Sequence, residues 1–527
     1  MSLYGKLFIR FYTALAIQML LLLAVDSYGQ DSIDRSIIAR IRREAFVHSE
    51  VMDIAFHLTD VSGPRLSNSP GLFRAQQWAM SIMRSWGLKR VTLEPWGCFG
   101  QGWELKKCYL AMTYPYYESL IAYPNAWSGG SHGPFSAEVV LYHPRDSNEQ
   151  AALRGKVRGK LLLYATDRPI KLSYEPETPR YSDSELLAMT AAPVVIPPPV
   201  ELDTGRRLPP RQISPLAKMV SLRLFAQQEG VRGVLFSRPE NKDGTVLAGD
   251  SGNRNWKDSL GPMYLQLFYE GFHQLERLSK AGVPVTIEGE VSTHSVLQDS
   301  LGYNVLGEIP GADPKLKDQV VILGAHLDSW QSATGATDNA AGCAVMLEAV
   351  RILTVPGIHP RRTIRIILWS GEEEGLMGSR GYVKRHFGDP EKGNWTREQA
   401  KVSAYYNLDN GTGRIRGIYL QGDTAAGPVF RRWLKPFRDL AVTTVSPLNT
   451  GGTDHVSFVN AGIPGFQFIQ DPIEYENRTH HTNMDTYDHL LPDDLKQAAA
   501  IIAFFAYQTA MREELIPRAA PSKMLPN

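Results

Sequence analysis

The chain has 527 residues, of which 43% are hydrophobic and 21% charged, with 56 Lys and Arg against 55 Asp and Glu. This composition is typical of a globular protein and excludes a disordered chain, and the length predicts more than one folding unit. Because the formal net charge is only +1, no overall field attracts nucleic acid or an anionic membrane. We therefore expect no nucleic-acid partner, and we expect the function to lie in a local site.

Residues 1–29 have the pattern of a secretory signal peptide. Lys6 and Arg10 precede an almost wholly apolar run over residues 11–25, and small residues stand just before the junction of Gly29 and Gln30. The apolar run is short for a membrane span, so we favour a cleavable signal, cut near Gly29-Gln30, over an uncleaved anchor. The mature chain would then be secreted or periplasmic, with no stable membrane span.

The sequence contains three cysteines, Cys98, Cys108 and Cys343. This number excludes a disulfide scaffold and a thiolate metal cluster. Cys98 and Cys108 either pair in an oxidising compartment or stay as free thiols, and the sequence leaves both alternatives open. Cys343 lies on the apolar face of a predicted helix, so we expect it in the core.

The first three hundred or so residues change character along their length. Residues 33–58 and 75–86 have helical patterns, whereas short β-rich pieces begin at about residue 119. A Pro-rich loop that includes residues 197–199 cannot form a helix or a central strand. We therefore predict that a β-rich unit interrupts a larger domain.

From residue 302 onward, predicted strands alternate with helices. The strand candidates are residues 320–324, 363–369, 403–408 and 465–469, and a helix follows the first of them. This alternation predicts an α/β fold with a mostly parallel sheet sandwiched by helices. In such sheets ligands bind beyond the carboxyl ends of the strands, which is where we expect the chemistry.

Residue types that bind metals follow the ends of these predicted strands. They are His326, Asp328, Asp338, Glu372, Glu373, Asp409, His480 and His481. Each has a simpler explanation by itself, such as a helix N-cap, but together imidazoles and carboxylates suit a pair of zinc-type ions. A bridging carboxylate would hold two ions roughly 3.5–4 Å apart, where they share a hydroxide. A carboxylate that binds no metal is needed to carry the water's proton to a leaving amine.

Four segments together resemble the signature of the M28 family of co-catalytic zinc peptidases. They are residues 324–328, 337–342, 371–379 and 481–486, and the resemblance covers about residues 304–510. It implies the zinc exopeptidase fold, two Zn²⁺ ions per chain, and hydrolysis of peptides or dipeptides. Residues 63–67 and the β-rich unit resemble one branch of this family, in which a protease-associated domain interrupts the peptidase fold.

The resemblance implies a domain organisation. Its parts are a signal peptide at residues 1–29, an N-terminal part of the peptidase domain at 30–118, an inserted protease-associated-like domain at 119–296, a catalytic domain at 297–515 and a tail at 516–527. The resemblance is also compatible with a homodimer. It leaves open which end of a peptide is trimmed.

The resemblance also implies a role for each metal-binding residue. Asp338 would bridge the two zinc ions. His326 and Asp409 would complete one zinc site, and Glu373 and His481 would complete the other.

The remaining roles implied by the resemblance concern catalysis. Glu372 would be the general base, and Asp328 would orient His326. Many relatives place Tyr directly before the last ligand, whereas this chain has His480, to which we therefore assign the oxyanion role. The resemblance further implies a cis peptide between Asp338 and Asn339. It implies no ligand role for residues 453–455.

Two other functions compete with an exported di-zinc exopeptidase. One is an aminoacyl cyclase of the same fold that uses a single zinc, and the other is a non-catalytic receptor or scaffold that binds a protein partner. Asp409 beside a complete second set of ligands disfavours the cyclase. Retention of every ligand together with the base disfavours the scaffold, so we predict a peptidase.

Overall fold

The computed structural model describes residues 33–143, 147–165, 168–170, 173–194, 215–251, 254–297 and 299–518. The predicted signal peptide at residues 1–29 and the Pro-rich loop at residues 197–199 lie outside this part of the chain. Within these ranges, no helix combines the length and the apolar character that a membrane span needs.

Two large β-sheets and the helices around them make up most of the described chain. The helices are α1 (Arg35–Val47), α2 (Val51–Phe56), α3 (Pro70–Ser85), α4 (Ser147–Leu153), α5 (Asp183–Ala191), α6 (Pro215–Gln228), α7 (Tyr269–Lys280), α8 (Ala341–Leu353), α9 (Met377–His386), α10 (Gly427–Leu434), α11 (His455–Asn460) and α12 (Pro492–Met511). The strands are β1 (Lys89–Cys98), β2 (Gly102–Tyr114), β3 (Glu118–Leu120), β4 (Ala122–Pro124), β5 (Phe135–Tyr142), β6 (Leu161–Tyr164), β7 (Gly233–Phe236), β8 (Met263–Leu267), β9 (Thr286–Val296), β10 (Leu301–Ile309), β11 (Val320–His326), β12 (Thr363–Trp369), β13 (Gly388–Asp389), β14 (Asn394–Trp395), β15 (Val402–Asn407), β16 (Ile415–Tyr419), β17 (Thr444–Ser446) and β18 (Gly465–Gln470).

The predicted N-terminal helices are present with different bounds. The pattern over residues 33–58 forms two helices, α1 and α2, because the chain leaves helical geometry after Val47. Helix α3 begins at Pro70, earlier than the predicted residue 75, because the Ser69 side chain accepts a hydrogen bond from the Leu72 N–H and caps it.

The first sheet has eight strands in the order β1-β10-β12-β11-β15-β18-β16-β17. Strands β12, β11, β15 and β18 are parallel neighbours in its centre. They are buried along almost their whole length, which is why the sequence there is nearly continuously apolar. The four predicted strands form this centre, but the sheet is mixed because β1, β10 and β16 pair antiparallel on its two sides.

Helices cover both faces of the first sheet, as predicted. Alternate residues of β12 face opposite sides, so Ile366 packs into one core cluster and Ile367 into another. On the first side every residue of α8 is buried, including Cys343, and α8 contacts α12, α1 and α2. On the second side α9 and α11 pack aromatic residues around Trp369. The fold is therefore a mixed α/β architecture.

The second sheet also has eight strands, in the order β3-β2-β9-β5-β6-β7-β8-β4. Strand β2 pairs with β9 along most of its length, although β2 precedes residue 119, the predicted start of the inserted unit. The prediction did not include this strand, although charged and apolar residues alternate at the start of β2, which is a strand signal. We therefore propose that the inserted unit begins near Gly102 and ends with β9.

The cysteines have separate environments in this fold. Cys98, Cys108 and Cys343 are all free thiols. Cys108 lies within the second sheet, where its Sγ donates to the Ala122 carbonyl at 3.4 Å. The structure therefore favours the free-thiol alternative for Cys98 and Cys108.

Candidate active site

The parallel centre of the first sheet brings the predicted site residues to one edge. His326 is the last residue of β11, Glu372 and Glu373 follow β12, and Asp409 follows β15. Because these strands are parallel neighbours, their carboxyl ends lie side by side. His481 arrives on the loop between β18 and α12.

Asp338 lies between two imidazoles. Its Oδ1 is 3.2 Å from Nε2 of His326, and its Oδ2 is 3.2 Å from Nε2 of His481. Nε2 of His326 is also 3.2 Å from Oδ1 of Asp409, and Nε2 of His481 is 2.9 Å from Oε2 of Glu373. The five predicted ligands thus form two groups of three that share Asp338.

The donor atoms of the site residues also form two sets that are compact enough for a zinc-type ion, although these sets divide the residues differently from the two groups above. Asp338, His326 and Glu373 place one ligand atom each within 4.8 Å of one another, and so do Asp338, His480 and His481. Oδ2 of Asp338 and Oε1 of Glu373 are buried without a hydrogen bond. Imidazole nitrogen and carboxylate oxygen are the donors that zinc prefers at catalytic sites, so a cation here would satisfy these atoms.

The charges of the site are strongly coupled. Burial by itself would raise the pKa of Asp338, but the adjacent imidazoles of His326 and His481 hold it well below its usual range. Burial would likewise lower the pKa of His481, but Glu373 and Asp338 raise it to about 11. The ligand set without metal therefore holds protons on its imidazoles, which a bound cation would replace.

Residues 304–506 match the model of Peptidase family M28. The chain carries an M28 peptidase domain. Carboxypeptidase Q of Mus musculus is 25% identical over 462 residues, which are 88% of this chain and 86% of that protein. Carboxypeptidase Q of Homo sapiens is 25% identical over 470 residues, which are 88% of this chain and 85% of that protein.

Two solved structures have the same overall fold. A peptidase M28 precursor from Shewanella amazonensis superposes with a TM-score of 0.65 at 25% identity, over 93% of this chain and 100% of that one. A zinc aminopeptidase from Bacillus subtilis superposes with a TM-score of 0.55 at 19% identity, over 88% of this chain and 95% of that one. Together with the family match of residues 304–506 and the carboxypeptidase Q relatives, these structures confirm the predictions of an M28 peptidase domain and of a metallo-exopeptidase.

The M28 turn that presents Asp338 is tightly held. The Asp338–Asn339 peptide is cis, as predicted. The Asn339 side chain accepts from the Gly342 N–H at 2.9 Å and donates to the Leu408 carbonyl at 2.9 Å. A Cβ on Gly342 would lie 2.3 Å from the Leu408 carbonyl oxygen, so the close approach of α8 to the end of β15 requires glycine here.

Asp485 supports the same turn and has no role in the sequence analysis. Its carboxylate accepts from the Thr337 N–H at 2.6 Å and from the Asp338 N–H at 3.1 Å. Asp485 lies within residues 481–486, one of the segments that resemble the M28 signature, so its position in that motif was visible in the sequence. Its partners are on a loop almost 150 residues away, which only the fold brings close.

Glu372 stands apart from the two groups of ligands. Its Oε2 is 4.0 Å from Nε2 of His326. Burial raises the pKa of Glu372 well above its usual range, with the positive charge of His326 opposing that shift. A buried carboxylate that readily holds a proton is suited to acid–base chemistry.

Asp328 and His480 occupy positions beside the ligands. The Asp328 carboxylate is 3.8 Å from Nδ1 of His326, whereas its main-chain carbonyl lies only 3.0 Å away and makes the orienting contact. The Asp328 carboxylate instead accepts from the Glu373 N–H at 3.2 Å. His480 stacks on His481 with ring centres 3.8 Å apart, and its Nε2 is 3.8 Å from Oδ2 of Asp338.

The loop between β7 and β8 contacts the loop that carries His481. Leu247 forms an antiparallel bridge with Thr482. The Val246 N–H donates to Oδ1 of Asn483 at 2.6 Å, and the Asn483 N–H donates to the Val246 carbonyl at 3.1 Å. The loop between β7 and β8 therefore forms part of the structure that positions a predicted ligand.

Replacement of Asp485 with Ala tests the support of the Asp338 turn. The variant leaves the buried N–H groups of Thr337 and Asp338 without their acceptor. Loss of such outer contacts typically costs about 10–100-fold in metal affinity or activity, and we expect a loss of this size in zinc affinity measured by chelator competition. Asp488→Ala, an exposed residue of the same loop, is the matched control and should bind zinc like the wild type. Equal affinities of both variants would contradict this role.

The pH dependence of stability tests the burial of Asp454, which is fully buried near the ligands. Burial raises its pKa to about 7, with the charge of His326 opposing, against about 3.9 in an unfolded chain. The stability that protonated Asp454 provides is therefore present in acid and lost as the pH rises through about 7. In the metal-free protein, we therefore expect the melting temperature of Asp454→Asn to rise relative to that of the wild type as the pH increases from about 4 to about 7. For the exposed control Asp60→Asn, the difference in melting temperature from the wild type should not change with pH. A difference that is equally independent of pH for Asp454→Asn would contradict the prediction.

Proposed function

We propose that the protein is an exported di-zinc exopeptidase that hydrolyses the peptide bonds of peptides or dipeptides. The observation that carries the proposal is the position of Asp338, with one oxygen facing His326 and the other facing His481. Export rests on the signal pattern of residues 1–29. We also propose that the protein forms a homodimer and that the second sheet belongs to a protease-associated-like domain.

The ligand roles follow from the two groups of three. His326, Asp338 and Asp409 would hold one Zn²⁺, and Asp338, Glu373 and His481 would hold the other. When bound, the ions would polarise the substrate carbonyl and lower the pKa of water at the site. The complete second group supports a peptidase over the single-zinc aminoacyl cyclase and over a non-catalytic scaffold.

The residues around the ligands would carry the proton and orient the substrate. Glu372 would take the proton from the attacking water and deliver it to the nitrogen of the leaving amine. His480 would donate a hydrogen bond to the oxygen on which negative charge develops, since it lies beside Asp338 and His481. The Trp330 ring meets that of His481 edge-on at 6.0 Å and would form a wall of the substrate site.

Replacement of Glu372 with Gln separates catalysis from binding. The variant keeps the shape of the side chain but cannot carry a proton, so turnover should fall by roughly 10²–10⁴-fold while zinc content stays at the wild-type level. The assay uses free dipeptides and amino-terminal aminoacyl reporters, before and after chelation and with zinc restored. The exposed control Glu398→Gln should keep full activity. Turnover by Glu372→Gln within a few-fold of wild type would assign the base to another carboxylate.

Metal analysis of the same proteins tests the bridging role of Asp338. The wild type should hold two zinc ions per chain at saturation. Asp338→Asn should lose both, because its side chain is shared, whereas His481→Ala should mainly weaken one. Inductively coupled plasma mass spectrometry after dialysis gives the stoichiometry. A wild type that saturates at a single zinc would contradict the di-zinc proposal.

A further inference from the structure

A short segment far from the M28 match lies against the candidate active site. Residues 63–68 connect α2 to α3 and precede the matched residues 304–506 by more than two hundred positions. Arg65 in this segment is fully buried, and Ser67 is 2% exposed. Neither side chain has a role in the proposed function.

The Arg65 guanidinium is surrounded by main-chain carbonyls. Its Nε donates to the Leu327 carbonyl at 2.7 Å, and its Nη2 donates to the Gly335 carbonyl at 2.8 Å. Its Nη1 donates to the carbonyls of Thr334 and Leu58. Three of these four acceptors lie on the loop that joins His326 to Asp338.

The main chain of Arg65 adds two further contacts to the same loop. Its N–H donates to Oγ of Ser329 at 3.1 Å, and its carbonyl accepts from the Ser329 N–H at 3.1 Å. A buried charge is costly unless it is well hydrogen-bonded, so the guanidinium constrains every carbonyl that it contacts. The rigid fork of arginine also fixes the directions of these hydrogen bonds, which lysine cannot reproduce.

Ser67 contacts the other side of the site. Its Oγ donates to Oε2 of Glu374 at 2.7 Å and lies 3.4 Å from Oδ2 of Asp328. The same Oδ2 accepts from the Glu373 N–H. Ser67 therefore connects the turn that carries Glu373 with the residue whose carbonyl orients His326.

We propose that Arg65 and Ser67 are positioning residues of the metal site. Arg65 fixes the loop between His326 and Asp338, and Ser67 fixes Asp328 against the turn that carries Glu373. The inference rests on the proposed function, because the groups that it positions are the proposed zinc ligands. It adds to the active site a segment that lies outside the M28 match.

Arg65→Lys tests the first residue, with Arg362→Lys as a matched control. Arg362 is also fully buried and donates to main-chain carbonyls, including that of Glu513 at 3.0 Å, but its partners are remote from the ligands. Both variants should lower the melting temperature of the metal-free protein. Only Arg65→Lys should weaken zinc binding, by about 10–100-fold in chelator competition, and lower kcat at subsaturating zinc.

Ser67→Ala tests the second residue with a gentler change. Its control is Ser237→Ala, since Ser237 is buried and its Oγ donates to the Leu267 carbonyl at 3.0 Å within the second sheet. We expect zinc affinity to fall about tenfold for Ser67→Ala and to stay unchanged for Ser237→Ala. If Arg65→Lys does not fold, the comparison of Ser67→Ala with Ser237→Ala still tests the positioning role.

The outcomes separate the inference from the proposed function. Wild-type zinc affinity in both Arg65→Lys and Ser67→Ala, in a chain whose wild type binds two zinc ions and cleaves peptides, would overturn the inference alone. A wild type that binds no zinc would overturn the proposed function and the inference with it. Weakened zinc binding in the Arg65 and Ser67 variants, with both controls unchanged, supports the positioning role.

Discussion

The concentration of buried carboxylates at one edge of the first sheet is the constraint on which the rest of the site depends. Asp328, Asp338, Glu372 and Asp409 are all buried there, and their cationic neighbours include the imidazoles of His326 and His481 and the buried guanidinium of Arg65. Such a cluster costs free energy unless positive charge compensates it. A divalent cation would compensate this cluster, which is why we propose a zinc site at this edge of the sheet.

The fold supplies this cluster through three separate parts of the chain. The parallel centre of the first sheet aligns the ends of β11, β12 and β15. The loop between β7 and β8 pairs with the loop that carries His481, and the segment that contains Arg65 holds the loop before Asp338. The M28 domain therefore does not build the site by itself, because residues outside it make several of the hydrogen bonds that fix the ligand loops.

Rigidity of the ligand loops has a chemical consequence. His481 itself lies in the left-handed region with φ of 62°, a conformation that a non-glycine residue keeps only where its surroundings impose it. The hydrogen bonds of Asp485, Asn339 and Arg65 keep the ligand loops from relaxing into a less strained conformation. Ligands that are positioned before the ion arrives lose less conformational entropy on binding and leave less freedom for the wrong metal geometry.

The sequence by itself determined the central strands, the helices that cover them and the set of candidate ligand residues. Strand β12 has the predicted bounds, and Cys343 is in the predicted core, because hydrophobic periodicity is a local property. The order of ligand types after successive strands also predicted their convergence, since parallel strands end at one edge. Only the tertiary structure decided that β2 belongs to the second sheet, that the main chain of Asp328 orients His326, and that Arg65 and Asp485 support the ligand loops. Those contacts join residues far apart in the chain, and no local pattern encodes which distant groups will meet.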